Sequence, residues 1–389
     1  MRSIADYLSV LNRDILLVFL GSLLFQVVQM GVYPILLTQI LAAGQVDNRV
    51  VGVFVAFSWI AVFAFGPLVP NIIRRLGYRG ANLFAFVLTV FGFLGLAWSP
   101  SLAVLAGATV VMGLGLIVRW ITCDTLVVHL SASETRGRVI GLHEALMGLG
   151  IGLGPLLFTG FSLTVIAFIS IALSLVAIAT FYLAAPIQPD ARDDTGASPA
   201  KGRFAAVRAS FGVIAMALAA AFIAGFVENS SVALFPLHLE LHGYELAASA
   251  ILVSAFGFGG TLLQPPLGAV ADKRGYGYAQ TICAATVVAS CAAIAAFTTA
   301  APVLLVAMFF LGGAAGGFNT LAVIEAGQRL DSRRIPAAMT AIAMLYTVGS
   351  IFGPMAAGSV METLANEGMI ALFAAAGAGF ALFLWLRRG

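Results

Sequence analysis

Charge is scarce in this sequence: Lys and Arg number 20 and Asp and Glu 17 among 389 residues, 10% in all, against roughly 25% in an ordinary soluble domain. Apolar residues fill 61% of the chain, more than any water-soluble fold of this length can bury, so a soluble enzyme is excluded. Cysteine is scarce too. Cys123, Cys283 and Cys291 all lie inside apolar runs; an odd count at such depth excludes a disulfide framework and a Cys-ligated metal centre, and small buried fillers are expected. Also missing are His-Glu-x-x-His, Gly-x-Ser-x-Gly and any paired-Asp signature within the apolar runs, so no membrane-embedded hydrolase is expected. The glycines at 148, 150, 152 and 154 sit within an apolar run rather than at a strand-to-helix turn, and so cradle no nucleotide. No cofactor, metal or nucleic acid is called for.

What is present is a series of apolar runs long enough to cross a bilayer, which takes about 20 residues each. Twelve are read, at 14–41, 50–69, 81–98, 102–128, 139–161, 162–184, 209–235, 246–271, 278–297, 301–326, 337–361 and 368–386. Continuous apolar stretches such as 303–318 exclude an alternating outer-membrane barrel. The first run lacks a small-residue cleavage site and reads as a span, not a signal peptide. The fold class is an all-α polytopic membrane protein of twelve helices in two six-helix bundles. The longest polar stretch, 186–208, reads as a linker between an N-terminal bundle at 1–185 and a C-terminal bundle at 209–389.

The basic residues orient the chain. Of the 20 Lys and Arg, all but Arg49 and Arg119 fall at the termini or in alternate loops, and the positive-inside rule makes those segments cytoplasmic. A bacterial inner membrane with both termini in the cytoplasm is the expected setting, with lipid as the surrounding partner and a monomer as the working unit.

The halves repeat. Gly113 recurs as Gly312 and Gly150, Gly154 and Pro155 as Gly349, Gly353 and Pro354, all 199 residues on; the loop Arg74-Arg75-Leu76-Gly77-Tyr78 recurs as Asp272-Lys273-Arg274-Gly275-Tyr276 at 198. Repeats of an even number of spans are related by an axis along the membrane normal, and a transporter's cavity lies between them.

The loop Gly268-Ala-Val-Ala-Asp272-Lys273-Arg-Gly275 resembles the cytoplasmic signature of the major facilitator superfamily, and Gly150, Gly154 and Pro155 are spaced like its antiporter-associated motif in helix five. The segment around Gly113, Trp120 and Asp124, with Tyr346-Thr-Val-Gly349, is similar to the bacterial YcaD-like branch. The first-half loop carries Arg74 where the family has Asp, and Thr109 stands where helix four of the family has Arg. The resemblance covers essentially the whole chain and implies alternating access by rocking of the halves, usually coupled to protons.

Arg74, Arg75, Asp272 and Lys273 are the candidate gating loops: the Asp272 carboxylate at the end of span eight can meet a helix N-terminus or an Arg only when the cytoplasmic side is closed. The glycines of span five, and Gly312, Gly313, Gly316 and Gly317 in span ten, suit close helix packing, while Pro155 and Pro354 are expected to kink their helices.

Ionisable groups inside spans are costly and are functional candidates. Arg119 and Asp124 lie in span four, His143 and Glu144 near the start of span five, Glu228 in span seven towards the outside, and Glu325 near the end of span ten. Arg119 needs a carboxylate, from Asp124, from Glu144 or from a substrate. Glu228 suits proton uptake, or simply borders the cavity mouth; His143 and Glu325 read as interfacial. Gln26, Gln29 and Tyr33 recur at steps of three and four, on one face of span one, and with Trp120, Gln264, Asn319 and Tyr346 are expected to line the cavity. Two functions stay open at this point: a proton-coupled transporter of a small organic solute, by efflux or by uptake of an organic anion, and a membrane sensor that kept the transporter fold, for which the short loops leave no soluble signalling domain.

Overall fold

The computed structural model describes residues 11–98, 101–130, 136–184, 214–330, 335–364 and 367–387. The linker at 186–208 lies outside the described residues, as does the start of span seven at 209–213. Among the described residues there are helices and no strands.

Ten helical segments are long and apolar enough to cross a membrane. One of them, Asn48–Ala97, has 50 residues and would extend about 75 Å at 1.5 Å per residue, far beyond a hydrocarbon core of about 30 Å. It breaks at Gly77 into two crossings. A further, shorter crossing comes from Arg136–Leu153 and the 3-10 segment Gly154–Thr159. Twelve crossings result, as the apolar runs require.

Several ends differ from the hydropathy reading. Span two does not stop near Val69; it passes through a 3-10 turn at Gly66–Leu68 and continues as helix to Gly77. Its counterpart, span eight, runs as Leu246–Leu262 and then Gln264–Arg274. Arg74, Arg75, Asp272 and Lys273 therefore sit on helical turns rather than in loops, because Pro70 and Pro265 occupy first-turn positions, where a missing N–H costs nothing. Span seven is Ala215–Leu241 with Pro236 inside it, six residues later at both ends than its apolar run.

The backbone repeats as the sequence does. Gly77 (φ 68°, ψ 172°) and Gly275 (φ 86°, ψ 151°) adopt the same conformation, 198 residues apart. Only glycine visits that region without strain, and it turns the chain from one crossing into the next in both halves. Packing repeats too. Gly154 lies against Gly31 of span one as Gly353 lies against Phe226 and Ser230 of span seven, and Gly113 meets the Ser58 backbone of span two as Gly312 meets that of Phe256 in span eight. Span five changes to 3-10 geometry at Gly154, whereas span eleven is assigned as one helix, Ile335–Thr363, straight through Pro354.

A Cβ at Gly113 or Gly312 would collide with a backbone carbonyl oxygen, which cannot swing aside as a side chain would. Overpacking of this kind costs about 1–3 kcal/mol. Gly312→Val is expected to lower the unfolding midpoint in detergent by several degrees, and an unchanged midpoint would show that spans eight and ten do not depend on this approach.

The halves meet over only part of their length. Span two packs on span eleven, with Gly52 against Pro354 and Gly358 against Asn48; span five packs on span eight, with Gly152 against Gly257 and Gly148 against Thr261. Gln39 of span one donates to Glu240 of span seven at 2.6 Å. All these contacts lie between mid-depth and the end opposite the basic residues. At the basic end, Gln264–Arg274 of span eight packs on spans nine and ten of its own half. Among the described residues, the space between the halves is therefore bridged at one end and unbridged at the basic end.

Candidate functional site

A cavity of about 300 Å³ fills that space. Gln26, Arg119, Trp120 and Asp124 line it from the first half, and Glu228, Gln264, Asn319 and Tyr346 from the second. Eight of the candidates thus converge, although they come from six different spans.

Arg119 anchors the first-half wall. It is 2% exposed, and its Nη2 donates to Gln26 Oε1 at 2.8 Å and its Nε to Gln29 Oε1 at 3.1 Å. Nη1 meets the Met147 sulfur at 3.7 Å. Gln29 in turn donates to Thr89 Oγ1 at 2.8 Å, and Thr89 to the Ala85 carbonyl at 2.8 Å. A hydrogen-bonded line therefore runs from span four through span one to span three, fixing the planar guanidinium at the cavity wall. Charge-assisted bonds of this kind are the stronger ones. Asp124, with its side chain 43% exposed, lies 3.7 Å from His143 Nδ1. The Glu144 side chain lies outside the described residues.

Gln29 and Tyr33 do not line this cavity. They border a water-sized void behind Trp59, together with Ser58 and Asn229. The cause is local: Val27–Val32 forms a π-helical turn, wider than an α turn, so the three-and-four spacing no longer keeps Gln26, Gln29 and Tyr33 on one face. Such turns are frequent at functional sites.

The second-half wall is built around Glu228. Counted from Ala215, it falls at mid-span and not towards the outside, since the helix begins six residues later than the apolar run. Tyr346 donates its hydroxyl hydrogen to Glu228 Oε1 at 3.0 Å. Asn229, on the next step of the helix, donates to Ser350 Oγ at 2.8 Å and approaches the Tyr346 oxygen at 3.3 Å. The Tyr346 ring meets Trp59 of the first half edge-on, with centroids 6.0 Å apart, and this pair closes the inner end of the cavity.

Trp59, Met30, Asn229 and Ser350 were not candidates from sequence. Apolar or small residues in an apolar run carry no mark of their facing. His143 and Glu325, expected at the interface, are both buried, at 2% and 0% exposure. Glu325 accepts from Gln280 and from Arg329, each at 3.2 Å, because span nine covers the face that hydropathy leaves to solvent. Arg74 donates to Asn71 at 2.7 Å; Arg75, Asp272 and Lys273 are exposed. Among the described residues Asp272 has no ion-pair partner while the basic end is open.

The arrangement offers a fixed guanidinium and a carboxylate on opposing walls of one pocket. It can hold a solute of modest size and can take up or release a proton beside it.

Comparison with known proteins bears on this geometry. The sequence model described as Major Facilitator Superfamily matches residues 15–354 and 246–389. The uncharacterized MFS-type transporter YfkF of Bacillus subtilis is 24% identical over 314 residues, 80% of this chain and 79% of that protein. The uncharacterized MFS-type transporter YcaD of Escherichia coli strain SE11 is 24% identical over 393 residues, 98% of both. Among solved structures, the D-xylose–proton symporter superposes with a TM-score of 0.76 at 16% identity, covering 96% of this chain and 97% of that one. The nucleoside transporter NupG gives 0.78 at 14%, covering 97% and 99%.

Proposed function

The chain belongs to the major facilitator superfamily, and from that premise we propose that it is a proton-coupled secondary active transporter that exports a small organic solute by alternating access. The observation that carries the reading is the cavity between the halves, with Arg119 on one wall and Glu228 on the other. Its volume of about 300 Å³ is at the lower end of small-molecule sites. The basic end is cytoplasmic under the positive-inside rule, so this arrangement is the inward-open state of an inner-membrane protein whose termini are both in the cytoplasm. The two bundles, 1–185 and 209–389, rock about their seam, with 186–208 as the tether. A cavity enclosed by one chain suits a monomer.

Proton and solute share the pocket in this reading. Glu228 takes a proton from the outside in the outward-open state and releases it to the cytoplasm in the state seen here, and Arg119, Gln26, Trp120, Gln264 and Asn319 grip the solute. Asp272 finds its partner when the basic end closes. One observation favours a second reading: Arg119, held with its donors at the wall, suits uptake of an organic anion with protons.

Reconstitution into liposomes with an imposed pH gradient decides between them. Export by antiport expects solute to move against the proton flow; symport expects it to move with that flow. Solute flux indifferent to the gradient in both directions would overturn proton coupling altogether.

A further inference from the structure

At the end of the molecule opposite the cavity mouth, three metal-ligating side chains converge. His238 and His242 lie four residues apart on the last turns of span seven, a spacing that places both on one helix face. Glu367 comes from the start of span twelve, 125 residues on. One ligand atom from each lies within 4.8 Å of the others, and the two imidazole rings are 4.6 Å apart. His238 is fully buried, His242 half-buried and Glu367 exposed, so a ligand set reaches from the protein interior to solvent.

The hydrogen bonds fix the chemistry of this group. His242 Nδ1 lies 2.7 Å from the His238 backbone carbonyl oxygen. A carbonyl oxygen only accepts, so Nδ1 carries the hydrogen. In the neutral ring, Nε2 then presents a lone pair, and it faces Glu367 Oε1 at 2.9 Å. A lone pair against a carboxylate oxygen repels, so the contact needs a positive charge between the two atoms. A proton shared by the two groups fills that place, or a cation bridges nitrogen and oxygen. The bond from Nδ1 to a backbone carbonyl is the outer-shell contact that orients metal-bound imidazoles. The second imidazole, its ring 4.6 Å away, brings a further nitrogen ligand within reach of the same point.

We propose that His238, His242 and Glu367 form a divalent-metal site, suited to Zn²⁺, that clasps the start of span twelve to the end of span seven. Two imidazoles and one carboxylate match the ligand types of a zinc site that keeps a fourth position for water, with metal–ligand distances of about 2.0–2.2 Å. The ion tightens a junction within one bundle, adjoining the Gln39 to Glu240 contact that joins the halves. It lies away from the cavity, so the proposal is independent of the transport reading.

The test uses the full chain, purified in detergent without a histidine tag, stripped with a chelator and titrated with Zn²⁺ alone by calorimetry. Elemental analysis after desalting counts the bound ion. One Zn²⁺ per chain is expected, with a raised unfolding midpoint, since a ligand that binds only the folded state stabilises it. His242→Asn and Glu367→Gln alter half-buried or exposed side chains that leave the core intact, and each is expected to weaken binding by about 100-fold. His129→Asn, elsewhere in the chain, is expected to bind as the wild type does. His238→Ala, which opens a buried site, is read only if its elution profile is unchanged. Absence of stoichiometric binding would overturn the proposal and leave a proton shared between His242 and Glu367. Binding unchanged in both His242→Asn and Glu367→Gln would overturn it equally.

Discussion

Replacing Arg119 by alanine is expected to reduce solute flux in proteoliposomes by at least about tenfold, to near the background of empty vesicles. The side chain supplies the cavity's positive charge and holds two amides, Gln26 at 2.8 Å and Gln29 at 3.1 Å. Its loss leaves both carbonyl oxygens without their donor, at about 1–3 kcal/mol for each buried group. Through Gln29 and Thr89 the disturbance reaches span three. Arg119→Lys is expected to rescue little: an ammonium is a single point of charge and cannot reproduce a planar fork that serves two acceptors at once. Size-exclusion profiles separate loss of fold from loss of function. A well-folded alanine variant that keeps a third or more of wild-type flux would remove Arg119 from the solute site.

Glu228→Gln is expected to have an effect of similar size but a different kind. Glutamine keeps the shape and an acceptor oxygen for the Tyr346 hydroxyl, now at 3.0 Å from Glu228, but cannot bind and release a proton. Exchange of labelled solute across the membrane without any gradient is expected to persist within about threefold, while accumulation driven by a pH gradient falls by about tenfold or more, since intramembrane carboxylates are the usual proton relays. The comparison of the two assays on one variant is the measurement. If the glutamine variant still accumulates solute on a pH gradient, the coupling proton is carried elsewhere. If both assays fail together, Glu228 holds the solute and its proton role falls.

Much of the fold was legible in the sequence because a bilayer imposes a simple rule: apolar length set the crossings. Recurring residues announced the repeat, and Gly77 and Gly275 turned out to share a backbone conformation as well as a position. The cavity lining was legible where a costly group stood inside a span, as Arg119 and Glu228 do. Facing was not. The step of Gln26, Gln29 and Tyr33 assumed an α-helix, and the π turn at Val27–Val32 moved Gln29 and Tyr33 behind the wall. Depth was misjudged for Glu228 because hydropathy placed span seven at 209–235, whereas the helix runs Ala215–Leu241. The grouping of His238 and His242 with Glu367 had only half a signal, a four-residue spacing, since the third member arrives from the opposite end of the bundle's sequence.

The seam between the halves has a mechanical consequence. Where Gly52 meets Pro354 and Gly152 meets Gly257, backbone comes against backbone, with the Phe258 ring of the second half over Gly152 and Trp59 against Tyr346 beside the cavity. Glycines bring the facing helix axes close together there, so the seam is a narrow line about which a small tilt moves the distant helix ends most.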